Sequence, residues 1–321
     1  MARRGRRAHP EPPMNAVEVG SRPQGLLIEG DLVQLTDPRL NKYTITLQAG
    51  ASTHTHRGHI EHDDLIGLTD GNVVTSSREV SFLVLRPMLD DYVLGMPREA
   101  AVVYPKDAVR IAGLVGAHAG ARIIEAGAGS GSLSCYLLSG VGPSGALLSI
   151  ERREDFAEVA AQNVRRWFGG FPNNWTITTG DFNDQVPADH SWDGVVLDML
   201  APWECLEAAY LSVRPGGSLV GYVATATQLS TLVESIRVHD KWIEPRAEEL
   251  MLRTWHLDGL SVRPDHKMNG HTGFLVATRA LSDGMSAPRR ARRPAPTAYG
   301  ADYDGPRAEG AVPPADPDIS G

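Results

Sequence analysis

Cysteine is scarce in this chain: Cys135 and Cys205 are the two present, they lie far apart, and they make no CxxC. That argues against an iron-sulfur cluster, a zinc ribbon or a disulfide framework and leaves two isolated thiols. Long apolar runs are missing too, since no stretch approaches the roughly 18 residues that a membrane span requires. The first residues, "MARRGRRAHPEPPMNA", carry positive charge without an apolar h-region, so they do not read as a secretory signal, and a cytoplasmic protein is expected. A surplus of basic residues is likewise absent, the net charge being -8. Residues 1–16 hold four Arg against one Glu, which makes the span behind them more acidic still. A polyanionic partner therefore requires a local basic face assembled in three dimensions, or the Arg-rich arms.

What the 321 residues do contain is 42% hydrophobic against 22% charged side chains, enough for one large domain and a smaller one. Residues 1–16 and 283–321, rich in Arg and Pro, lack hydrophobic periodicity and are expected to be disordered arms. Between 17 and 90, short β-type runs such as "LLIEGDLVQLT", "KYTITLQ", "NVVTS" and "SFLVLRP" are separated by turn signals including Asp70-Gly71. These predict a small all-β domain. From 91 to 282 the pattern alternates: "ARIIEA", "SLSCYLLSG", "ALLSIE", "EDFAEVAAQNVRRWF", "WTITTGD", "WDGVVLD", "WECLEAAYLSV", "GSLVGYV", "ATQLSTLVESIRV" and "TGFLVATR". Strand-like and helix-like runs in this succession predict an α/β domain with a doubly wound, mostly parallel sheet.

At the end of the first of those strands stands "EAGAGSGSL", with Gly127, Gly129 and Gly131 spaced G-x-G-x-G. Glycines there permit a tight turn and let a ligand approach main-chain N–H groups at the start of the following helix. A dinucleotide fingerprint would place glycine or alanine at 132, where Ser132 stands, so the motif alone is weak. Three acids strengthen it, because Glu151, Asp181 and Asp198 each close a successive strand, and open α/β sheets bind ligands at those carboxyl ends. Glu151 is placed to accept hydrogen bonds from both hydroxyls of a ribose, and Asp181 from an adenine amino group, with Phe182 beside it for apolar contact. Taken singly, each acid also fits a helix N-cap or a turn. The run "HTHRGHIEH" holds His54, His56, His59 and His62, yet its spacing fits no standard zinc finger, and no metal is expected.

With these residues in view, the chain resembles a class I S-adenosylmethionine-dependent methyltransferase, and "EAGAGSGSL" is similar to that superfamily's first motif. The segments "YPKD", "LDMLAPWE", "YVATATQLS" and "GHTGFLVATR", together with "HRGHIEHDDLIG" and "MPRE", narrow the resemblance to the tRNA adenine-58 N1-methyltransferases of bacteria and archaea. It spans about residues 20 to 280 and leaves out both arms. The resemblance implies a seven-stranded Rossmann-like sheet and S-adenosyl-L-methionine as cofactor, held by Glu125, Gly127, Ala128, Gly129, Ser130, Gly131, Ser132, Leu133, Glu151, Arg152, Asp181, Phe182 and Asp198. It also implies a tRNA partner, a homotetramer, and substrate contacts at Tyr104, Lys106, His271 and Thr272, with Tyr104 bordering the catalytic pocket.

The chemistry points to Asp198 as the catalytic residue. Methyl transfer needs a nucleophile aligned behind the methyl carbon, and positioning alone contributes about 7 kcal/mol or more. Adenine N1 already carries an in-plane lone pair, so a carboxylate serves best by accepting a hydrogen bond from the N6 amino group and steadying the charge the base gains. In "DMLAPW" the single proline, Pro202, is delayed and Trp203 follows it, a departure from the spacing of amino methyltransferases that favours ring-nitrogen chemistry. Arg98 is a further candidate for a phosphate or base contact. Two other readings are an isoaspartyl-type carboxyl methyltransferase, against which the β domain and "LDMLAPWE" speak, and a noncatalytic RNA-binding partner, against which the complete acid and glycine set speaks.

Overall fold

The computed structural model describes residues 16–17, 24–98 and 101–288. The arms expected over 1–16 and 283–321 lie outside the described residues, apart from residue 16 and residues 283–288. Strand β1 (Ala16–Val17) is followed by six strands of the small β unit: β2 (Leu32–Thr36), β3 (Lys42–Thr46), β4 (Ser52–Thr55), β5 (Gly58–Glu61), β6 (Asn72–Thr75) and β7 (Ser81–Leu85). They form an antiparallel sheet in the order β3-β2-β7-β6, with β4 and β5 as a separate hairpin. Alternation sets the core: in β7, Phe82 and Val84 point inward beside Val33 and Leu35 of β2, while Ser81 and Leu83 face out.

Strand β1 stands apart from the strands that follow it in sequence. It pairs in parallel with β10 (Phe171–Pro172), so the beginning of the described chain lies against the larger unit and not the small β sheet. Extended backbone must satisfy its N–H and C=O groups wherever an open edge is available, and sequence adjacency does not decide which edge that is.

The larger unit begins with the helices α1 (Leu89–Gly95) and α2 (Pro105–Val115). It continues through β8 (Arg122–Ala126), α3 (Ser132–Val141), β9 (Ala146–Glu151), α4 (Glu154–Phe168), β10, β11 (Trp175–Thr179), α5 (Phe182–Gln185) and β12 (Trp192–Asp198). After α6 (Leu206–Ser212) come β13 (Val213–Val223), α7 (Ala226–His239), β14 (Arg246–Glu248), the hairpin β15 (Trp255–Asp258) and β16 (Ser261–Pro264), and β17 (Phe274–Arg279). Seven strands make one sheet in the order β11-β9-β8-β12-β13-β17-β14. The first five are parallel, and β17 enters antiparallel to β13.

The near-continuous apolar strands follow from burial on both faces. Ile123, Leu147, Val196 and Val220 join one apolar layer with Ile111 of α2 and Leu137 of α3. Their sequence neighbours Ile124, Leu148, Val195 and Leu219 join the opposite layer with Ala209 of α6 and Leu232 of α7. Each fully buried Leu or Ile contributes about 1.5–3 kcal/mol by its removal from water. Strand order reverses between β8 and β12, so the crevice for a ligand opens at their carboxyl ends. Among the described residues no helix is long and apolar enough to cross a membrane, and no group of three or more His, Cys, Asp and Glu is arranged to hold a metal.

Candidate active site

The glycine loop leaves β8 and turns at once into α3. Gly127 has φ +85°, and a Cβ there would stand 2.0 Å from the main-chain oxygen of Asp198. Glycine at this position is therefore what allows the end of β12 to lie against the loop. Gly131, φ +79°, caps α3, and a Cβ on it would meet the Ala160 carbonyl oxygen of α4 at 2.9 Å. Between them, the Gly129 N–H donates to Glu151 Oε2 at 2.9 Å and the Gly131 N–H to the Ala128 carbonyl at 2.8 Å. Glu151 Oε1 accepts from the Arg153 N–H at 3.0 Å, so one carboxylate fixes both the loop and the turn that follows β9.

Several expected cofactor contacts are already engaged or buried within the protein. The Ser132 hydroxyl donates to the Val103 carbonyl, the Ser130 carbonyl accepts from the Asn163 amide, and Leu133 and Ala128 are buried. What Ser132 and Leu133 offer a ligand is their main-chain N–H groups in the first turn of α3. Glu125 is fully buried beneath the loop, where Oε2 accepts from Ser134 Oγ at 2.6 Å and Ser149 Oγ at 2.5 Å. Among the described residues its Oε1 has no hydrogen-bond partner. Burial pushes the Glu125 carboxyl up to about 7, the two serines oppose that rise, and the charges of Asp198 and Glu151 add to it.

Asp181 plays two parts. Its Oδ1 accepts from the Asn183 N–H at 3.1 Å and so caps α5, the N-cap role that its sequence position also allows, while Oδ2 pairs with the Arg152 guanidinium. That hydrogen bond, followed by the one from Asn183, holds the Asp181 carboxyl below the usual range. Arg152 is exposed, and an exposed pair of this kind is readily exchanged for another partner. The Phe182 side chain sits in the apolar layer beside Ile150 and presents little surface to a ligand.

Asp198 ends β12 half-buried, and among the described residues its carboxylate has no hydrogen-bond partner. Burial, reinforced by the charge of Glu151, pushes it up to about 7. The following turn is built by Pro202, which opens a 3-10 turn over Pro202–Cys205, and by Gln228 of α7, whose amide donates to the Leu200 carbonyl at 2.9 Å. Trp203 packs against the apolar layer below. Across the sheet, Asp198 is in register with Tyr222 of β13.

On the other wall, Tyr104 precedes Pro105 and caps α2 through its main chain, and its phenol has no hydrogen-bond partner among the described residues. Lys106 Nζ donates to Asp107 Oδ1 at 2.7 Å and to Thr272 Oγ1 at 2.6 Å. Asp107 Oδ2 accepts from Thr272 Oγ1 at 2.6 Å and from the Tyr222 phenol at 3.2 Å. Two residues expected at the substrate, Lys106 and Thr272, are thus brought together by two that sequence reasoning did not single out, Asp107 and Tyr222. Gly273 makes room for this, since a Cβ there would lie 2.5 Å from the Tyr222 ring.

His271 is engaged at both ring nitrogens, with the Glu249 carboxylate and the Ala224 carbonyl, each at 2.7 Å. Both partners are acceptors, so the arrangement suits an imidazolium, and the hydrogen bond to Glu249 raises its pKa. Arg98 donates to the Leu94 carbonyl at the end of α1 and is joined to none of the site residues by these contacts. The four histidines of the small β unit have local roles. His62 accepts from the Gln48 N–H and bonds Thr53, His56 bonds the Tyr43 phenol, His54 bonds Ser52, and His59 lies 3.4 Å from Glu61.

The geometry suits S-adenosyl-L-methionine. The glycine loop forms a cradle that side chains would fill, Glu151 and Asp181 are acceptors at successive strand ends, and Glu125, Glu151 and Asp198 gather three carboxyl groups, two of them raised to about 7, that a bound cation would favour in the ionised form. A ligand carrying a sulfonium and an ammonium supplies that positive charge.

Comparison with known proteins agrees with this geometry. Residues 25–74 match the model of the TrmI-like N-terminal family, and residues 81–259 match that of the tRNA methyltransferase complex GCD14 subunit. The tRNA (adenine(58)-N(1))-methyltransferase TrmI of Thermus thermophilus is 34% identical over 245 residues, covering 76% of this chain and 95% of that protein. The tRNA (adenine(57)-N(1)/adenine(58)-N(1))-methyltransferase TrmI of Methanocaldococcus jannaschii is 26% identical, covering 67% and 84%. Among solved structures, the tRNA (m1A58) methyltransferase TrmI of Aquifex aeolicus superposes with a TM-score of 0.70 at 26% identity, covering 80% of this chain and 100% of that one. A SAM-dependent O-methyltransferase of Thermotoga maritima superposes with a TM-score of 0.75, also at 26% identity, covering 83% and 96%. From the small β unit through the Asp198 pocket, this chain belongs to the GCD14 family of tRNA methyltransferases, with the TrmI-like N-terminal unit preceding it.

Proposed function

We infer that this protein transfers a methyl group from S-adenosyl-L-methionine to N1 of adenosine 58 in the T-loop of tRNA, giving 1-methyladenosine. The observation that carries the reading is Asp198, a half-buried carboxylate with no protein hydrogen-bond partner among the described residues, at the switch point of the sheet and packed through its main chain against the glycine loop. S-adenosyl-L-methionine supplies an electrophilic methyl carbon on a sulfonium. We assign Glu151 to the ribose hydroxyls and Asp181 to the adenine amino group, with Arg152 released from Asp181 as that happens. The loop glycines and the first-turn N–H groups of α3 line the methionyl end.

Asp198 accepts a hydrogen bond from the N6 amino group of the target base. That contact orients the N1 lone pair and strengthens as the base becomes cationic, which is the differential stabilisation that lowers a barrier. N1 lies on the Watson-Crick edge, so the base reaches the pocket only after extrusion from the T-loop. Tyr104 borders the extruded base, and Lys106 and Thr272 meet the RNA at the rim. His271, clasped between Glu249 and Ala224, acts by fixing the loop that carries Thr272. Recognition rests on RNA shape more than on sequence.

A homotetramer in the cytoplasm completes the proposal. Trp255, Leu257, Leu260 and Val262 of the β15–β16 hairpin, all exposed, give a single chain an apolar surface that self-association would cover. The test is incubation of the purified protein with labelled S-adenosyl-L-methionine and unmodified tRNA, followed by digestion to nucleosides. Labelled 1-methyladenosine is the expected product, and N6-methyladenosine or unlabelled RNA refutes the reading.

A further inference from the structure

Asp107 lies at the third position of α2, fully buried, and nothing in its surroundings gives a ligand access to it. An acid in a first helical turn often needs no further explanation than the helix dipole. Here, however, both carboxylate oxygens are spent, one on the neighbouring Lys106 and the other on groups from distant parts of the chain. Oδ1 takes the ammonium of Lys106, whose side chain is 11% exposed, and Oδ2 takes the hydroxyl of Thr272 and the phenol of Tyr222. The phenol is shared, since it also lies 3.0 Å from the Thr272 carbonyl. An ammonium has three protons, and two of the Lys106 protons are fixed by Asp107 and Thr272, leaving one for a further acceptor.

We propose that Asp107 is a positioning residue for tRNA: it locks Lys106 and Thr272 to Tyr222 across α2, β13 and the loop before β17, presetting the rim that receives the RNA. The proposal rests on the methyltransferase reading above. Without the carboxylate, Lys106 regains rotamer freedom and loses its partner, and Thr272 and Tyr222 lose a common acceptor, so ordering the rim is deferred to the moment of RNA binding. The cofactor side, built on β8, β9 and β11, is untouched.

Asp107→Asn, Lys106→Met and the double variant are compared by steady-state kinetics with unmodified tRNA and S-adenosyl-L-methionine. For Asp107→Asn the expected result is a KM for tRNA raised about tenfold, with kcat changed less than about threefold and the KM for S-adenosyl-L-methionine within about twofold. When Lys106 is already Met, the further effect of Asp107→Asn shrinks to below about threefold. Additive effects in the double variant, or a parallel rise in the cofactor KM, overturn the proposal. Should Asp107→Asn fail to fold, Lys106→Met and Thr272→Val are measured singly and together: coupling in the tRNA KM supports the lock, and additivity overturns it. An inactive wild-type protein would refute the methyltransferase reading itself, whereas an active one with additive variants refutes the positioning role alone.

Discussion

Asp37 of the small β unit and Asp198 of the sheet domain are the same residue type, the first buried and the second half-buried, and they have opposite fates. The Asp37 carboxylate accepts from the Arg39 N–H at 2.8 Å, the Asn41 N–H and amide at 2.9 Å each, and the Arg57 guanidinium at 3.0 Å. Burial alone would raise its pKa, but those hydrogen bonds outweigh it and hold the group at about 2. Asp198 has burial without the hydrogen bonds and stands at about 7. One acid is consumed by the structure and pins a turn. The other is left unsatisfied, so the pocket around it is completed by what binds there.

The most severe way to break this contrast is Gly127→Ala. The new Cβ collides with the main chain of Asp198, and displacing a reacting group by about 1 Å costs on the order of a hundredfold in turnover. Loss of that size in a variant that still folds by circular dichroism is expected. Next comes Asp198→Ala, which lowers turnover at least about tenfold, corresponding to ~1.4 kcal/mol, while equilibrium binding of S-adenosyl-L-methionine largely survives.

The pH dependence of the free protein sharpens the same comparison. Because the folded Asp198 carboxyl is raised from 3.8 to about 7, the folded state holds the extra proton between those values, and stability falls as pH rises through that window. Asp198→Asn flattens this slope in thermal melts. Asp37, depressed from 3.8 to about 2, contributes stability that is fully present above 3.8 and lost as pH falls toward 2. Asp37→Ala accordingly lowers Tm by about 5 °C at neutral pH with kcat per folded molecule retained. The smallest effect is expected from His271→Gln. The raised pKa of His271 makes its contribution present below about 6.5 and lost as pH rises through the folded value, so Tm drops by about 1–2 °C at pH 6 and by less as pH rises.

The parallel strands were legible because a strand buried on both faces writes a short apolar run such as "GVVL", and these runs alternate with longer helix-like segments. The direction of β17 was not legible: "FLVATR" has the same composition in either sense, and only its register against β13 distinguishes them. Glu151, Asp181 and Asp198 stood out by their place at strand ends. Asp107 did not, because an acid three residues after a helix cap has a sufficient local explanation, and its partners Tyr222 and Thr272 lie 115 and 165 residues away in sequence. Ser132 and Arg152 show the converse failure. Their motif position is readable, but the Val103 carbonyl and the Asp181 carboxylate that engage them are set by tertiary packing. The pairing of β1 with β10 was hidden for a similar reason, since two residues carry no periodicity to read.

The contact between Gly127 and the carbonyl of Asp198 has a consequence for redesign. On the proposed assignment it works as a fixed spacer between the pocket for the methyl donor and the pocket for the acceptor, set by backbone against backbone with no adjustable side chain between them. An engineer who wishes to move the acceptor therefore gains nothing from mutating the donor loop, where any larger residue shifts both pockets at once. The tunable wall is the opposite one, formed by Tyr104, Lys106 and Thr272, where side chains set the shape and can be exchanged singly.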